Sequence, residues 1–241
     1  MSNYIKGDLL KFKNSSIIYN SFLIIVISII TSFLWFSGIT TTSNVNLAKT
    51  IINNWTIFWN PILITLLIYG RKQQEYNAGK YTNYICIDKS KSVTSFNTST
   101  LIIYFVLLAV MLVLSALLTS INGNMSLQLI CQIFILPGIL IFFYTAWQIP
   151  LFTFIFHKVN TIEIFIVTIA NILISIMFTG TFLEHVYPWT YSMTEIGNVA
   201  GISINGLTKV SSYTGLPIFI VVTLILIIVS WNFRVLKGKR K

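Results

Sequence analysis

Six stretches of the chain are long and apolar enough to cross a lipid bilayer. A spanning helix needs about 20 mainly apolar residues, because each residue rises by about 1.5 Å along the helix axis. The pattern predicts spans over residues 17–39, 51–70, 99–119, 129–156, 162–179 and 216–233. We therefore expect an all-α polytopic membrane protein in which residues 1–241 form a single transmembrane domain.

Prolines interrupt two of the predicted spans. Asn60-Pro61 lies within the second span, and proline removes a helix hydrogen bond. The fourth span would measure about 42 Å as one straight helix, and it contains Pro137 and Pro150. This span is predicted to be either a tilted helix with an interfacial end or a broken helix.

Three segments outside the spans have a pattern of their own. At the N-terminus, residues 1–16 place Ile5, Leu9 and Phe12 on one helical face. Charged residues flank that face: Lys6, Asp8, Lys11 and Lys13. The pattern predicts a short helix on the membrane surface, with a frayed basic tail as the alternative.

The second segment, residues 71–98, is a polar and aromatic connection in which residues 73–87 lack proline. It is either a contact for an energy-supplying partner or a solvated connector. Glu75 lies there among Arg71, Lys72 and Lys80, so it either pairs with a cation of a partner or fixes the connection.

The third segment, residues 181–215, is moderately apolar and carries Glu184, His185 and Glu195 beside several aromatic residues. Backbone at membrane depth must be buried in protein or line water. We expect a re-entrant or surface-lying hairpin with a weakly acidic, aromatic surface; an interfacial anchor without contact to cargo is the alternative.

Composition supports the membrane class. Hydrophobic residues make up 55% of the chain, charged residues 9%, and the mean hydropathy is +0.81. Soluble domains carry about 25% charged residues, so a soluble enzyme or an added nucleotide-binding domain is excluded.

Charge is distributed asymmetrically. Fourteen of the 16 lysines and arginines fall on one side of the predicted spans, and only Lys49 and Lys209 fall on the other. The positive-inside rule then places both termini in the cytoplasm. The net charge of +10 is a topology signal and does not require nucleic acid as a partner. Tryptophans are predicted to form belts at the outer ends (Trp35, Trp55, Trp59, Trp189) and the inner ends (Trp147, Trp231) of the spans.

Most enzymatic motifs are missing. There is no G-x-x-x-x-G-K-[ST] and no H-E-x-x-H, and the predicted topology separates His157 from His185 and Cys86 from Cys131. No acidic residue falls near the middle of a predicted span, which disfavours an ion-coupled carrier and favours energy supplied by another chain.

Four short stretches resemble one family. In order, they are Gly7–Lys13, Glu75–Gly79 with Lys89 and Lys91 behind it, Gln148–Leu151, and Tyr187–Tyr191. Together they resemble the small six-span permeases of type-2 ABC exporters, and most of all the subunits of lantibiotic immunity transporters.

The resemblance implies a transport subunit, not an enzyme, of the bacterial cytoplasmic membrane. It implies two copies of a separate ABC ATPase that holds ATP and Mg, a second homologous permease forming a heterodimer, and an amphipathic peptide as cargo. The chain itself would hold no cofactor and no metal. The implied site residues are Glu75, Tyr76, Gly79, Lys80, Lys89 and Lys91 for ATPase coupling, Asp8, Lys11 and Lys13 in the interfacial helix, and Glu184, Tyr187, Pro188, Trp189 and Tyr191 on the outer peptide path.

Two other functions stay open. The same architecture can serve another antibiotic or an endogenous toxin peptide, and a different class, an intramembrane enzyme or a channel, is also compatible with the spans.

Overall fold

The computed structural model describes residues 2–13, 15–37, 44–78, 89–121, 126–156, 161–200 and 215–232. Within these ranges the chain is helical and contains no strand. The α-helices are α1 (Ser2–Leu10), α2 (Ser16–Ser37), α3 (Asn44–Asn54), α4 (Asn60–Asn77), α5 (Lys89–Ile121), α6 (Leu127–Ile130), α7 (Leu136–Thr145), α8 (Gln148–Phe156), α9 (Thr161–Phe178), α10 (Pro188–Ala200) and α11 (Leu216–Asn232). A 3-10 helix covers Phe182–His185, and π-helical turns cover Trp55–Trp59 and Cys131–Ile135.

Four helical segments are long and apolar enough to cross a membrane. They are Ser16–Phe36, Val45–Asn77, Ser92–Ile121 and Leu127–Ile155. The fifth and sixth predicted spans coincide with α9 and α11, which have 18 and 17 residues. At about 1.5 Å per residue these two helices are slightly shorter than a hydrocarbon core of about 30 Å. The all-α class and four potential spans are therefore established for the described residues.

Asn60-Pro61 does not break the second span, contrary to the sequence-based expectation. A π-helical turn, Trp55–Trp59, precedes it, and the Asn60 N–H donates to the carbonyl of Trp55. The same arrangement precedes Pro137, where the Leu136 N–H donates to the carbonyl of Cys131. Proline has no N–H and so cannot make the usual helix hydrogen bond. The wider π-helical turn before each proline rearranges the neighbouring hydrogen bonds, and the helix continues through it.

The fourth span is disturbed by a turn, but Leu127–Ile155 remains one helical segment long enough to cross a membrane. α7 ends at Thr145 and α8 begins at Gln148, with a turn between them. Pro150 cannot donate to the carbonyl of Ala146, which instead accepts from the Ile149 N–H at 3.2 Å.

The connection over residues 71–98 is shorter than the sequence predicts. α4 continues to Asn77, and α5 begins at Lys89, so most of this segment is helix that extends the second and third spans. Hydrophobic patterning misplaces these ends because the extensions are polar. Residues 79–88, which include Cys86 and part of the predicted helix over 73–87, lie outside the described residues.

Buried tryptophans correct part of the predicted belt. Trp55 is 0% exposed and Trp147 is 5% exposed, so both pack inside the bundle, whereas Trp35 is exposed. The indole N–H of Trp147 donates to the carbonyl of Tyr144 at 2.7 Å. In this protein, a tryptophan at the end of an apolar run can therefore be buried between helices and need not lie at the membrane interface.

Neutral polar side chains connect the helices in the core. Asn54 donates to Thr31 and Ser32 on α2, at 3.0 and 2.8 Å. The Thr65 and Thr168 hydroxyls lie 2.9 Å apart between α4 and α9. Such pairs satisfy polar groups that have no water to bond.

Candidate functional site: a buried charge cluster beneath the N-terminal helix

The N-terminal helix α1 packs against the protein. Phe12, just beyond its end, is 2% exposed and belongs to the main core, and Ile5 and Leu9 are half-buried. The face predicted from the sequence is thus the one that contacts the bundle, mainly along α5. Lys6, which flanks this face, is exposed, and Lys13 is also exposed.

Asp8 is the buried centre of this contact. Its Oδ1 lies 2.9 Å from Lys11 Nζ and 3.2 Å from Arg71 Nη2, and its Oδ2 accepts from Ser95 Oγ at 2.6 Å. The side chain of Asp8 is only 9% exposed. One carboxylate therefore connects α1 to the end of the second span and to the start of the third.

Glu75 completes the arrangement, which we call the charge cluster: Asp8, Lys11, Arg71 and Glu75. Its Oε1 accepts from Lys11 Nζ at 2.6 Å, and its side chain is 2% exposed. Gln74 Nε2 adds a bond to the Lys11 carbonyl at 3.2 Å. Of the two interpretations of Glu75, fixing the connection agrees with this pairing, because a cation of the same chain already contacts the carboxylate.

Arg71 is enclosed by two aromatic rings. Its guanidinium carbon lies 4.6 Å from the centre of the Phe12 ring and 5.1 Å from that of Phe96. Its side chain is 0% exposed, and its contact with Asp8 is an ion pair without the directional geometry of a hydrogen bond. The ring faces supply part of the stabilisation that a buried guanidinium requires.

Lys11 connects the cluster to solvent, since its side chain is 38% exposed. Burial alone disfavours its charged form, but the hydrogen bonds to Glu75 and Asp8 outweigh that effect and raise the pKa of Lys11 above its ordinary value. Two carboxylates and two cations make the cluster neutral. It therefore joins α1 to the second and third spans without leaving a net charge in the buried contact.

The other residues that the resemblance assigns to coupling lie around this cluster or outside the described part. Tyr76 is 49% exposed on the last turn of α4. Gly79 and Lys80 lie outside the described residues, and Lys89 and Lys91 stand on the first turns of α5. The structure brings Asp8, Lys11 and Glu75 together and leaves Lys13 on the surface.

Sequence reasoning missed the roles of Arg71, Ser95 and Phe96. A signal was present: Arg71 and Glu75 stand four residues apart at the end of an apolar run, so they share a helix face. Ser95 carries no such signal, because only packing places it beside Asp8.

On the far side of the bundle, the segment after α9 turns back against the helices. Gly180 adopts a left-handed backbone with φ of 81°, and its N–H donates to Glu184 at 2.7 Å. The Tyr187 hydroxyl donates to Asn171, and α10 then packs along α7 and α9.

Aromatic side chains fill the contact between α10 and the fourth span. We call these the aromatic cluster: Tyr144, Trp147, Trp189, Tyr191 and Phe219. The rings of Trp147 and Trp189 meet edge to face at 4.6 Å, and those of Tyr191 and Phe219 stack at 5.8 Å. A side chain at Gly215 would collide with the Tyr191 ring, with a contact of 2.1 Å, so glycine is required beside it.

These positions correct two expectations. Trp147 and Trp189 were assigned to opposite membrane faces, yet they are in contact. Glu184 and Glu195 are 5% and 8% exposed, so they do not form an acidic surface. Tyr187, Trp189 and Tyr191 are half-buried, and Pro188 is exposed. His185, within 6.4 Å of the Tyr191 ring, belongs to no group of three metal-ligating side chains among the described residues.

Comparison of the chain with protein-family models, with curated proteins and with solved structures finds no match.

Proposed function

We propose that this chain is the membrane permease subunit of an ABC exporter in the bacterial cytoplasmic membrane. Its cargo would be amphipathic antimicrobial peptides of the lantibiotic type, which it expels from the membrane to give immunity or resistance. The observation that carries the proposal is the charge cluster, which joins the N-terminal helix to the second and third spans.

The charge cluster suits a subunit that receives force from another chain. Asp8 and Glu75 are buried and paired inside the protein, so α1 and the end of α4 move as one unit. Exposed Tyr76 and Lys13 stand at the rim of that unit. In the proposed complex a partner presses on this rim and on the segment around Gly79, Lys80, Lys89 and Lys91, and the cluster carries the motion into the spans.

The proposed assembly adds the ATP-binding subunits, for which this chain has no sequence motif, and a second permease. Two ABC ATPase subunits bind ATP and Mg, and a second, homologous six-span permease completes a heterodimer of twelve spans. Both termini face the cytoplasm, where the ATPases dock. Cargo passes between the two permeases, and the outer segment with Tyr187, Pro188, Trp189 and Tyr191 lines its outer path.

Purification of the tagged, full-length chain from native membranes tests this assembly. We expect one ABC ATPase and one second six-span permease to co-purify in stoichiometric amounts, with ATPase activity stimulated by lantibiotics. A chain that purifies alone, with full protective activity in a host lacking any ABC partner, would contradict the proposal and favour a channel or an intramembrane enzyme.

Protection assays identify the cargo. Cells expressing the complex are challenged with a nisin-like peptide and, in parallel, with a bacitracin-like drug. Protection against the peptide alone supports the proposed cargo, and protection against the drug alone assigns the same architecture to another antibiotic.

Topology is tested by impermeant thiol labelling of intact cells. In a background in which Cys86 and Cys131 are replaced by serine, Asn44→Cys and Asn205→Cys should label from outside, and Ser90→Cys should not. Labelling of Ser90→Cys would overturn the orientation derived from the lysines and arginines.

A further inference from the structure

A small polar cleft lies where four elements meet. They are the π-helical turn Trp55–Trp59, the start of α8, the last turns of α9 and the first turns of α10. Its lining is partly apolar, and its polar and aromatic side chains are Thr56, Thr145, Gln148, Ser175, Trp189 and Ser192. The cleft has room for a guest about the size of one water molecule.

The hydroxyl groups in this lining have already used their protons. Thr56 and Ser175 donate to the carbonyl four residues earlier in the chain, at 2.8 and 2.7 Å, and Ser192 donates to the carbonyl three residues earlier, at 2.9 Å. A hydroxyl has one proton and two lone pairs. Each of these oxygens therefore offers only lone pairs to a guest.

Gln148 adds an amide oxygen to these hydroxyl groups. It is 1% exposed, lines the cleft, and its Oε1 has no hydrogen-bond partner among the described residues. A buried amide oxygen without a donor is costly, and native structures rarely keep one. The lining thus combines several acceptor oxygens with one oxygen that still requires a donor or a cation.

Such a lining selects a guest by charge. An ammonium group has three donors and no acceptor, and an alkali ion is held by neutral oxygens that replace its hydration shell. Trp189 also lines the cleft. Divalent ions are disfavoured because no carboxylate is in the lining. We propose that this cleft is a binding site for a small monovalent cation, either an alkali ion or an ammonium ion.

The inference does not depend on the proposed function, because cation binding is measurable without an ATPase.

Thermal unfolding of the purified full chain in detergent tests the site. At constant ionic strength, N-methylglucamine chloride is replaced by sodium, potassium or ammonium chloride. A saturating cation should raise the unfolding midpoint by about 2 to 4 °C. A rise with the alkali ions alone assigns an alkali-ion site, and a rise with ammonium as well assigns a site that also accepts an ammonium ion.

Two variants locate the effect. Gln148→Leu should abolish the rise, whereas Gln128→Leu, an exposed control on α6, should retain it in full. Gln148→Glu should lower the half-saturating cation concentration by about tenfold or more, because a carboxylate joins the acceptor set. This second variant keeps the test decisive if Gln148→Leu does not fold.

Two outcomes would overturn the proposal. If none of the three cations raises the midpoint above that in N-methylglucamine, the cleft holds only a water molecule. If Gln148→Leu keeps the full rise, or Gln148→Glu leaves the half-saturating concentration unchanged, the cations bind elsewhere on the protein.

Discussion

The charge cluster and the polar cleft both contain polar groups that are buried away from water, but these groups are stabilised in different ways. At the cluster, full charges on Asp8, Lys11, Arg71 and Glu75 pair within 3.2 Å, and Lys11 retains contact with solvent. In the cleft, the lining is made of neutral hydroxyl and amide groups that bond mostly within their own helices.

The difference follows from the cost of burying charge. An ion taken out of water loses several kcal/mol of solvation, and a partner charge restores it only in good geometry. Near the end of the spans, Lys11 and the aromatic rings around Arg71 provide that compensation. Inside the bundle, neutral hydrogen bonds connect the helices, and the loss of one partner costs much less free energy there. Removal of one partner should therefore lower the free energy of unfolding strongly at the cluster and only slightly among the neutral pairs.

The largest effect is expected for Arg71→Met. This change leaves Asp8 buried beside one cation instead of two, and loss of a buried partner costs about 3 to 5 kcal/mol in unfolding free energy. Chemical unfolding in detergent measures it, with Lys13→Met on the surface as the control. Adding Asp8→Asn to Arg71→Met should recover part of the loss. Equal stability of the wild type and Arg71→Met would mean that the cluster does not hold α1 in place.

A smaller effect is expected at the Lys11–Glu75 pair. Glu75→Ala should leave membrane insertion intact but lower peptide-stimulated ATPase activity of the complex, because α1 and α4 no longer move together. Lys11→Ala should reproduce the defect, and the double variant should be no worse than either. A double-mutant cycle in unfolding should give a coupling of about 0.5 to 3 kcal/mol. Normal stimulated turnover in Glu75→Ala would remove this carboxylate from the mechanism.

Substitutions in the aromatic cluster should affect protection against the peptide without preventing assembly of the complex. Trp189 and Trp147 meet at 4.6 Å, and such pairs contribute about 0.5 to 1.5 kcal/mol beyond their buried area. Trp189→Phe retains a ring, so it serves as the control for Trp189→Ala. We expect Trp189→Ala to lose protection against the peptide while the complex still assembles and hydrolyses ATP.

Full protection by Trp189→Ala combined with Tyr187→Ala, at normal expression, would show that the outer segment is only a connection. The half-buried positions of both side chains allow this test without emptying the core.

The smallest effect is expected between Thr65 and Thr168. Their hydroxyls lie 2.9 Å apart in the bundle, so one of them donates to the other, and the other can donate to a carbonyl of its own helix. Hydrogen bonds between membrane helices average about 0.6 kcal/mol in double-mutant cycles. The cycle of Thr65→Val and Thr168→Val should fall near that value. A coupling as large as that at Lys11–Glu75 would erase the proposed distinction between charged and neutral contacts.

Part of this picture could be read from the chain. Apolar runs predicted the helices, and the Ile5, Leu9 and Phe12 face predicted which side of α1 is apolar. Pro137 and Pro150 predicted a disturbance of the fourth span, and the turn after Thr145 confirms it. The ends of α4 and α5 were missed, because polar helix outside the bilayer has no hydrophobic pattern to reveal it.

The sequence by itself determined the all-α class, the apolar segments and the location of charge outside them, because each depends only on residues close together in the chain. The tertiary structure decided which distant residues meet. It placed Asp8 against Arg71 and Ser95, Trp147 against Trp189, and Gln148 beside Thr56, Ser175 and Ser192. These contacts depend on how helices pack and rotate about their axes, and the periodicity of a single helix specifies its apolar face but not the neighbour that covers it.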